Sequence, residues 1–92
     1  MIVYAECSFF IPEVATLKEK RAVLNRMRDR VKNSYNVSVA EIDHQDLWQR
    51  TTFALVSVAS SKDAAEREVQ RAIRLFESNP DWEMTACTID FL

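Results

Sequence analysis

The sequence predicts an α+β fold with the element order βαββαβ. Three observations carry the prediction. Four segments rich in β-branched and aromatic residues read as strands. Two segments with apolar residues at helical spacing read as helices. All six follow one another in that order along a chain of 92 residues. The pattern is the ferredoxin-like split βαβ arrangement, a four-stranded antiparallel sheet with two helices on one face. Residues 1–92 read as one domain, long enough to bury a modest core without staples.

The first strand is expected over residues 2–11. Val3, Ala5, Cys7, Phe9 and Ile11 form an apolar phase that faces the core, and Ile2, Tyr4, Glu6, Ser8 and Phe10 form the more open one. Pro12 ends it. Thr16-Leu17-Lys18-Glu19 matches a capping box, and Leu17, Leu24, Met27, Val31 and Tyr35 recur at helical spacing over about residues 17–34. Asn33 and Asn36 offer left-handed positions for the end of this helix. Residues 37–43 and 51–59 read as a strand pair joined by the polar segment Asp43–Arg50. Ser60 and Ser61, with Asp63, open a second helix whose buried stripe is Ala65, Val69, Ala72, Ile73 and Phe76. Asn79-Pro80 stops it, and residues 83–91 form the last strand.

Composition removes several function classes. The chain has no glycine, where average usage gives about six or seven. A P-loop, a GxGxxG fingerprint, a GXXG clamp and a GxSxG elbow are all excluded, since each needs glycine at fixed positions. No apolar run reaches the ~20 residues of a membrane span, and the first residues do not resemble a signal peptide. A cytoplasmic location is expected, with Cys7 and Cys87 as reduced, buried thiols.

Net charge is −2, but it is unevenly spread. Residues 17–34 carry seven basic side chains against Glu19 and Asp29, a local excess of +5. Lys18, Arg21, Asn25, Arg28 and Lys32 share one flank of the first helix, and Arg67, Arg71 and Arg74 share one flank of the second. Side by side, the two stripes would make an anion-binding surface suited to phosphate. The plainer use is to solvate the helices and cover apolar neighbours.

The Asp43–Arg50 segment is the densest run of functional groups. Asp43, His44 and Asp46 are poorly spaced for a metal, and neither cysteine is placed to be activated by His44. Either Leu47 and Trp48 fold over the core edge, or the segment is a recognition loop using His44, Gln45, Trp48 and Arg50. On the open sheet face, Tyr4, Phe10, Phe53 and Leu55 are expected to gather, and a homodimer is expected through that face or through an edge strand. Tyr4 and Phe53 also faintly match the base-stacking positions of an RNA-recognition sheet.

These residues carry a resemblance over essentially the whole chain. Ser8 to Ile11, Leu17-Lys18-Glu19-Lys20-Arg21, Asn36-Val37-Ser38-Val39-Ala40-Glu41 and above all Asp43-His44-Gln45-Asp46-Leu47-Trp48-Gln49-Arg50 resemble the YlxP-like family of small bacterial proteins. That family has no assigned activity and no agreed catalytic residues. The resemblance implies a ferredoxin-like fold and, from the company its genes keep, work near RNA or the ribosome. Relatives often have a glycine in the first strand or the loop after it; here Pro12-Glu13-Val14-Ala15-Thr16 makes that turn.

The leading expectation is a noncatalytic, dimeric RNA- or ribosome-associated protein without cofactor or metal. It would contact phosphates through Lys18, Arg21, Arg28 and Lys32, aided by Arg67, Arg71 and Arg74. The alternative is a module that docks an acidic protein partner. Acylphosphatase chemistry shares the fold class but needs an arginine in the loop after the first strand, and Pro12–Thr16 has none.

Overall fold

A computed structural model describes all residues, 1–92. The elements are β1 (Ile2–Phe10), α1 (Leu17–Ser34), β2 (Ser38–Asp43), β3 (Arg50–Val58), α2 (Lys62–Glu77) and β4 (Glu83–Phe91). They form one antiparallel sheet in the order β2-β3-β1-β4, so β1 and β3 are central and β2 and β4 are edges. This is the predicted ferredoxin-like α+β fold.

The strict alternation in β1 fixes which face meets the helices. Val3, Ala5, Cys7, Phe9 and the following Ile11 are all buried, while Tyr4, Glu6, Ser8 and Phe10 are half-buried on the other face. β3 lies beside β1 with Cys7 opposite Phe53 and Ala5 opposite Leu55. Residues directly opposite share a face, so Phe53 and Leu55 point to the helices and are buried. This corrects the expectation that they gather with Tyr4 on the open face. Tyr4 lies opposite Val56 instead. Both phases of β3 are apolar at its middle, and the larger Phe53 and Leu55 fill the deeper side. With Phe53 under the helices, the base-stacking pair Tyr4 and Phe53 does not exist.

The core centres on four rings. Phe9 stacks on Trp82 at 4.1 Å, Phe53 stacks on Phe76 at 5.2 Å, and Phe76 meets Trp82 edge-on at 5.6 Å. The Trp82 indole N–H donates to the Phe76 carbonyl at 2.6 Å, satisfying one of the open carbonyls at the end of α2.

The helix signals act as expected at the start of α1. The Thr16 hydroxyl accepts from the Glu19 amide at 3.1 Å, and the Glu19 carboxylate reaches back to the Ala15 amide and the Thr16 hydroxyl, both at 3.4 Å. Ser61 caps α2 by accepting from the Ala64 amide. The end of α1 differs from expectation. Tyr35 is extended (φ −135°), and neither Asn33 nor Asn36 is left-handed. Asn36 instead ties the helical layer together. Its amide donates to the Glu68 carboxylate at 2.9 Å, and its side chain donates to the Val58 carbonyl at 3.0 Å.

Candidate functional site

Two faces bear on function, the helical layer and the open sheet. On α1 the buried stripe is Lys20, Leu24, Met27 and Val31. A lysine therefore occupies a core position and is 1% exposed. Its ammonium lies 2.9 Å from the Glu41 carboxylate on β2 and donates to the His44 carbonyl at 2.6 Å. The same Glu41 oxygen accepts from the buried Thr51 hydroxyl at 2.7 Å. A charge this deep requires a partner and further hydrogen bonds. Lys20, Glu41 and Thr51 thus fasten the first turns of α1 to the β2–β3 hairpin. Lys20 belongs to this lock, so it is not part of the solvent-facing charge of α1.

The lock holds the Asp43–Gln49 loop in place. His44 adopts φ 64°, and it is the one residue of the chain with positive φ. Its amide donates to the Asp43 carboxylate at 2.8 Å, and its carbonyl accepts from Leu47 as well as Lys20. Gln49 bridges to the β1–α1 connection by donating to the Pro12 carbonyl at 3.0 Å. Leu47 (48% exposed) and Trp48 (52% exposed) are left projecting. They do not fold over the core edge. Gln45 and Arg50 are exposed beside them, and His44 is half-buried. Asp43, His44 and Asp46 do not converge on one point with metal-ligand geometry.

Contacts between elements show how the basic stripes are disposed. Arg26 pairs with Asp81 in the turn after α2 at 2.7 Å, so that side of α1 faces α2. Successive helical residues turn by about 100°. Lys18, Arg21, Asn25, Arg28 and Lys32 therefore lie across the buried stripe from Arg26, overhanging the free edge of β2. Lys18, Arg21 and Lys32 are exposed and have no ion-pair partner; Arg28 is half-buried, 3.7 Å from Asp29. On α2, Arg67, Arg71 and Arg74 lie opposite the buried residues and point away from the sheet. Arg71 is 3.7 Å from Glu68. The two stripes do not merge into the single surface expected from the sequence. The α1 stripe instead runs along the β2 edge towards the loop that carries Trp48.

The open sheet face is apolar at its middle. Tyr4, Ser38, Ala40, Ala54 and Val56 line a shallow hollow of about 170 Å³. Around it Ile2, Ile42 and Val58 are exposed. Phe10 is half-buried further along β1, opposite Arg50. The Tyr4 hydroxyl donates to Glu6 at 3.1 Å. Desolvation, that hydrogen bond and the nearby carboxylates of Glu6 and Asp90 raise its pKa above the ordinary phenol value.

The last site feature has no local sequence signal, because its parts are distant in the chain. Cys7 and Cys87 face each other across β1 and β4 with sulfurs 3.5 Å apart. Cys7 is buried, but Cys87 is exposed, contrary to the expectation of two buried thiols.

The architecture is that of a small ferredoxin-like α+β protein, and comparisons with known proteins place it within one family. Residues 2–89 match the family described as "Protein of unknown function (DUF503)", and the chain belongs to it. It is 48% identical over 85 residues to the "Uncharacterized protein YlxP" of Bacillus subtilis (strain 168), covering 92% of each chain. Among solved structures, it is similar to a de novo designed protein, Foldit4, with TM-score 0.62 and 18% identity. It is likewise similar to a structural-genomics protein, YJCS, with TM-score 0.60 and 7% identity. Each match covers 100% of this chain and 99% of the other, and at these identities it concerns the fold alone. No helix is long and apolar enough to cross a membrane.

Proposed function

We propose that this is a noncatalytic, cytoplasmic RNA- or ribosome-associated protein. In this reading, the α1 stripe binds phosphate backbone and the Trp48 loop adds selectivity. The observation that carries it is the disposition of unpaired cations. Lys18, Arg21 and Lys32 lack carboxylate partners although the chain as a whole is acidic. They run towards a loop whose Trp48 is half-exposed on a hydrogen-bonded base. Cations tracking a backbone beside an exposed aromatic ring suit single-stranded nucleic acid, where base stacking adds about 1–3 kcal/mol per base. Arg67, Arg71 and Arg74 then act as a separate, outward-facing set that adds long-range attraction.

Binding to ribosomal RNA over a salt series tests the proposal. Affinity falls steeply with salt, and reversing Arg21, Arg28 and Lys32 to Glu together weakens binding at least tenfold and flattens the salt slope. Trp48→Ala weakens it at constant slope. Salt-independent affinity, or no response to charge reversal, overturns the RNA reading. Capture of an acidic protein that survives nuclease would put a protein on this stripe instead.

The homodimer belongs to the same proposal, through the open sheet face around Tyr4, Ala54 and Val56, with Phe10 at its margin. The apolar hollow and the exposed Ile2, Ile42 and Val58 support it. Val56→Lys shifts the mass measured by light scattering from dimer to monomer. A wild-type protein that is monomeric throughout the micromolar range removes this part.

A further inference from the structure

We propose that Cys7 and Cys87 form a reversible intramolecular disulfide, a redox modification site closed by hydrogen peroxide. The β1–β4 ladder sets the two side chains close together. The Leu92 amide donates to the Ile2 carbonyl at 2.9 Å, so Ile2 and Leu92 are a hydrogen-bonded pair. Paired positions alternate between hydrogen-bonded and non-hydrogen-bonded along an antiparallel ladder. Cys7 and Cys87 are an odd number of steps further on, before the irregularity at Ser8/Phe9, and are therefore a non-hydrogen-bonded pair. In such a pair the Cα atoms lie about 4.5 Å apart and the side chains are at their closest. That spacing is within the range a disulfide spans, about 4.4–6.8 Å. The sulfurs are already 3.5 Å apart. Side-chain rotation alone brings them to bonding distance, with both strands left in place.

The two thiols have different environments, and this sets their order of reaction. Cys87 is exposed on an edge strand and meets the oxidant. Cys7 is wholly buried. Burial, the contact with Cys87 and the charge of Glu77 all keep it in the thiol form. Cys87 sulfur attacks one peroxide oxygen; the O–O bond breaks, an S–O bond forms, and water leaves with the proton of the thiol. Cys7 sulfur then attacks the Cys87 sulfenic acid; the S–S bond forms, the S–O bond breaks, and the Cys7 proton leaves with the hydroxide as water. Two thiols are oxidised to one disulfide, and one peroxide is reduced to two waters. The bond staples the exposed edge strand to the central strand and closes a loop between residues 80 apart.

Treatment of the folded, reduced protein with hydrogen peroxide tests the site, read by thiol count, intact mass and peptide mapping. The expected product has lost both thiols together, is lighter by two hydrogens, contains a Cys7–Cys87 peptide pair and returns to the dithiol with dithiothreitol. Its melting temperature is higher than that of the reduced form by about 10 °C or more, because the closed loop is long. Cys87→Ser alters an exposed side chain and keeps the fold; in that variant Cys7 no longer reacts. In Cys7→Ala, Cys87 stops at a sulfenic acid that dimedone traps. Oxidation of wild-type Cys87 with the Cys7 thiol left intact, or disulfides only between chains, overturns the proposal.

Discussion

Glu41→Ala lowers the stability of the fold by about 3 kcal/mol or more, far beyond the effect of losing a surface ion pair. The reason is the position of Lys20. Its ammonium is buried, and Glu41 is its one anionic partner. Removing that carboxylate leaves a charge with the His44 carbonyl as its remaining acceptor. Removing one member of a buried pair typically costs about 3–5 kcal/mol; Glu41 is 19% exposed, so some water reaches the site and the lower end applies. Urea unfolding gives the value from the midpoint shift. The double change Lys20→Met with Glu41→Leu recovers most of the loss, because no charge is then stranded. A loss below about 1 kcal/mol for Glu41→Ala would show that the pair acts as an ordinary surface bridge. The same variant frees the base of the Trp48 loop, so amide exchange of Leu47 quickens even under conditions where the protein stays folded.

Phe76→Ala costs about 3–5 kcal/mol, towards the upper end of that range. Phe76 is completely buried and meets Phe9, Phe53 and Trp82. The ring pairs add to the area that truncation uncovers, and the cavity lies between a helix and a sheet that cannot both close on it. For a domain of this size each kcal/mol shifts the melting temperature by about 4–8 °C, so a drop of roughly 15 °C or more is expected. The near-ultraviolet signal of Trp82 weakens with it, since the indole stacks on Phe9 and is hydrogen-bonded to the backbone of residue 76. Phe76→Leu costs visibly less. Equal losses for the two variants would mean that the ring contacts contribute nothing beyond buried area.

The fold was legible because local signals agreed with one another. The alternation of β1 and the stripe of α2 each point to one face, and the Thr16–Glu19 box marks where α1 begins. Agreement across levels of this kind is what makes a sequence readable. β3 was different. Both of its phases are apolar only at the middle, Phe53 and Leu55 on one and Ala54 and Val56 on the other, so the side facing the helices depends on its register with β1 and on side-chain bulk. Phe53 and Leu55 could be assigned to the core only by weighing them against the smaller Ala54 and Val56.

At the site, the charged stripe of α1 is legible in the sequence, whereas Lys20 reads there as one more surface cation. The signal was present: Lys20 interrupts the stripe of Leu24, Met27 and Val31, as Glu41 interrupts the inward phase of Val37 and Val39. Two opposite charges, each out of place in an apolar pattern, are a reason to pair them. The cysteines offered no local signal, since their facing depends on the antiparallel ladder between the first and last strands.

His44 carries one more consequence. Since it is the single residue with positive φ, no position in the native backbone calls for glycine more strongly than that one. The chain uses none there or elsewhere. Each glycine avoided at a compatible position removes conformational freedom from the denatured chain, a gain of about 0.4–1 kcal/mol. Measured against the average usage of about six or seven glycines, the denatured ensemble has several kcal/mol less entropy to lose on folding. That offsets a thin core, with 22 of 92 residues buried. Within a single chain one sheet face and two edge strands are uncovered, and the stability of the fold comes in part from the stiffness of the unfolded chain.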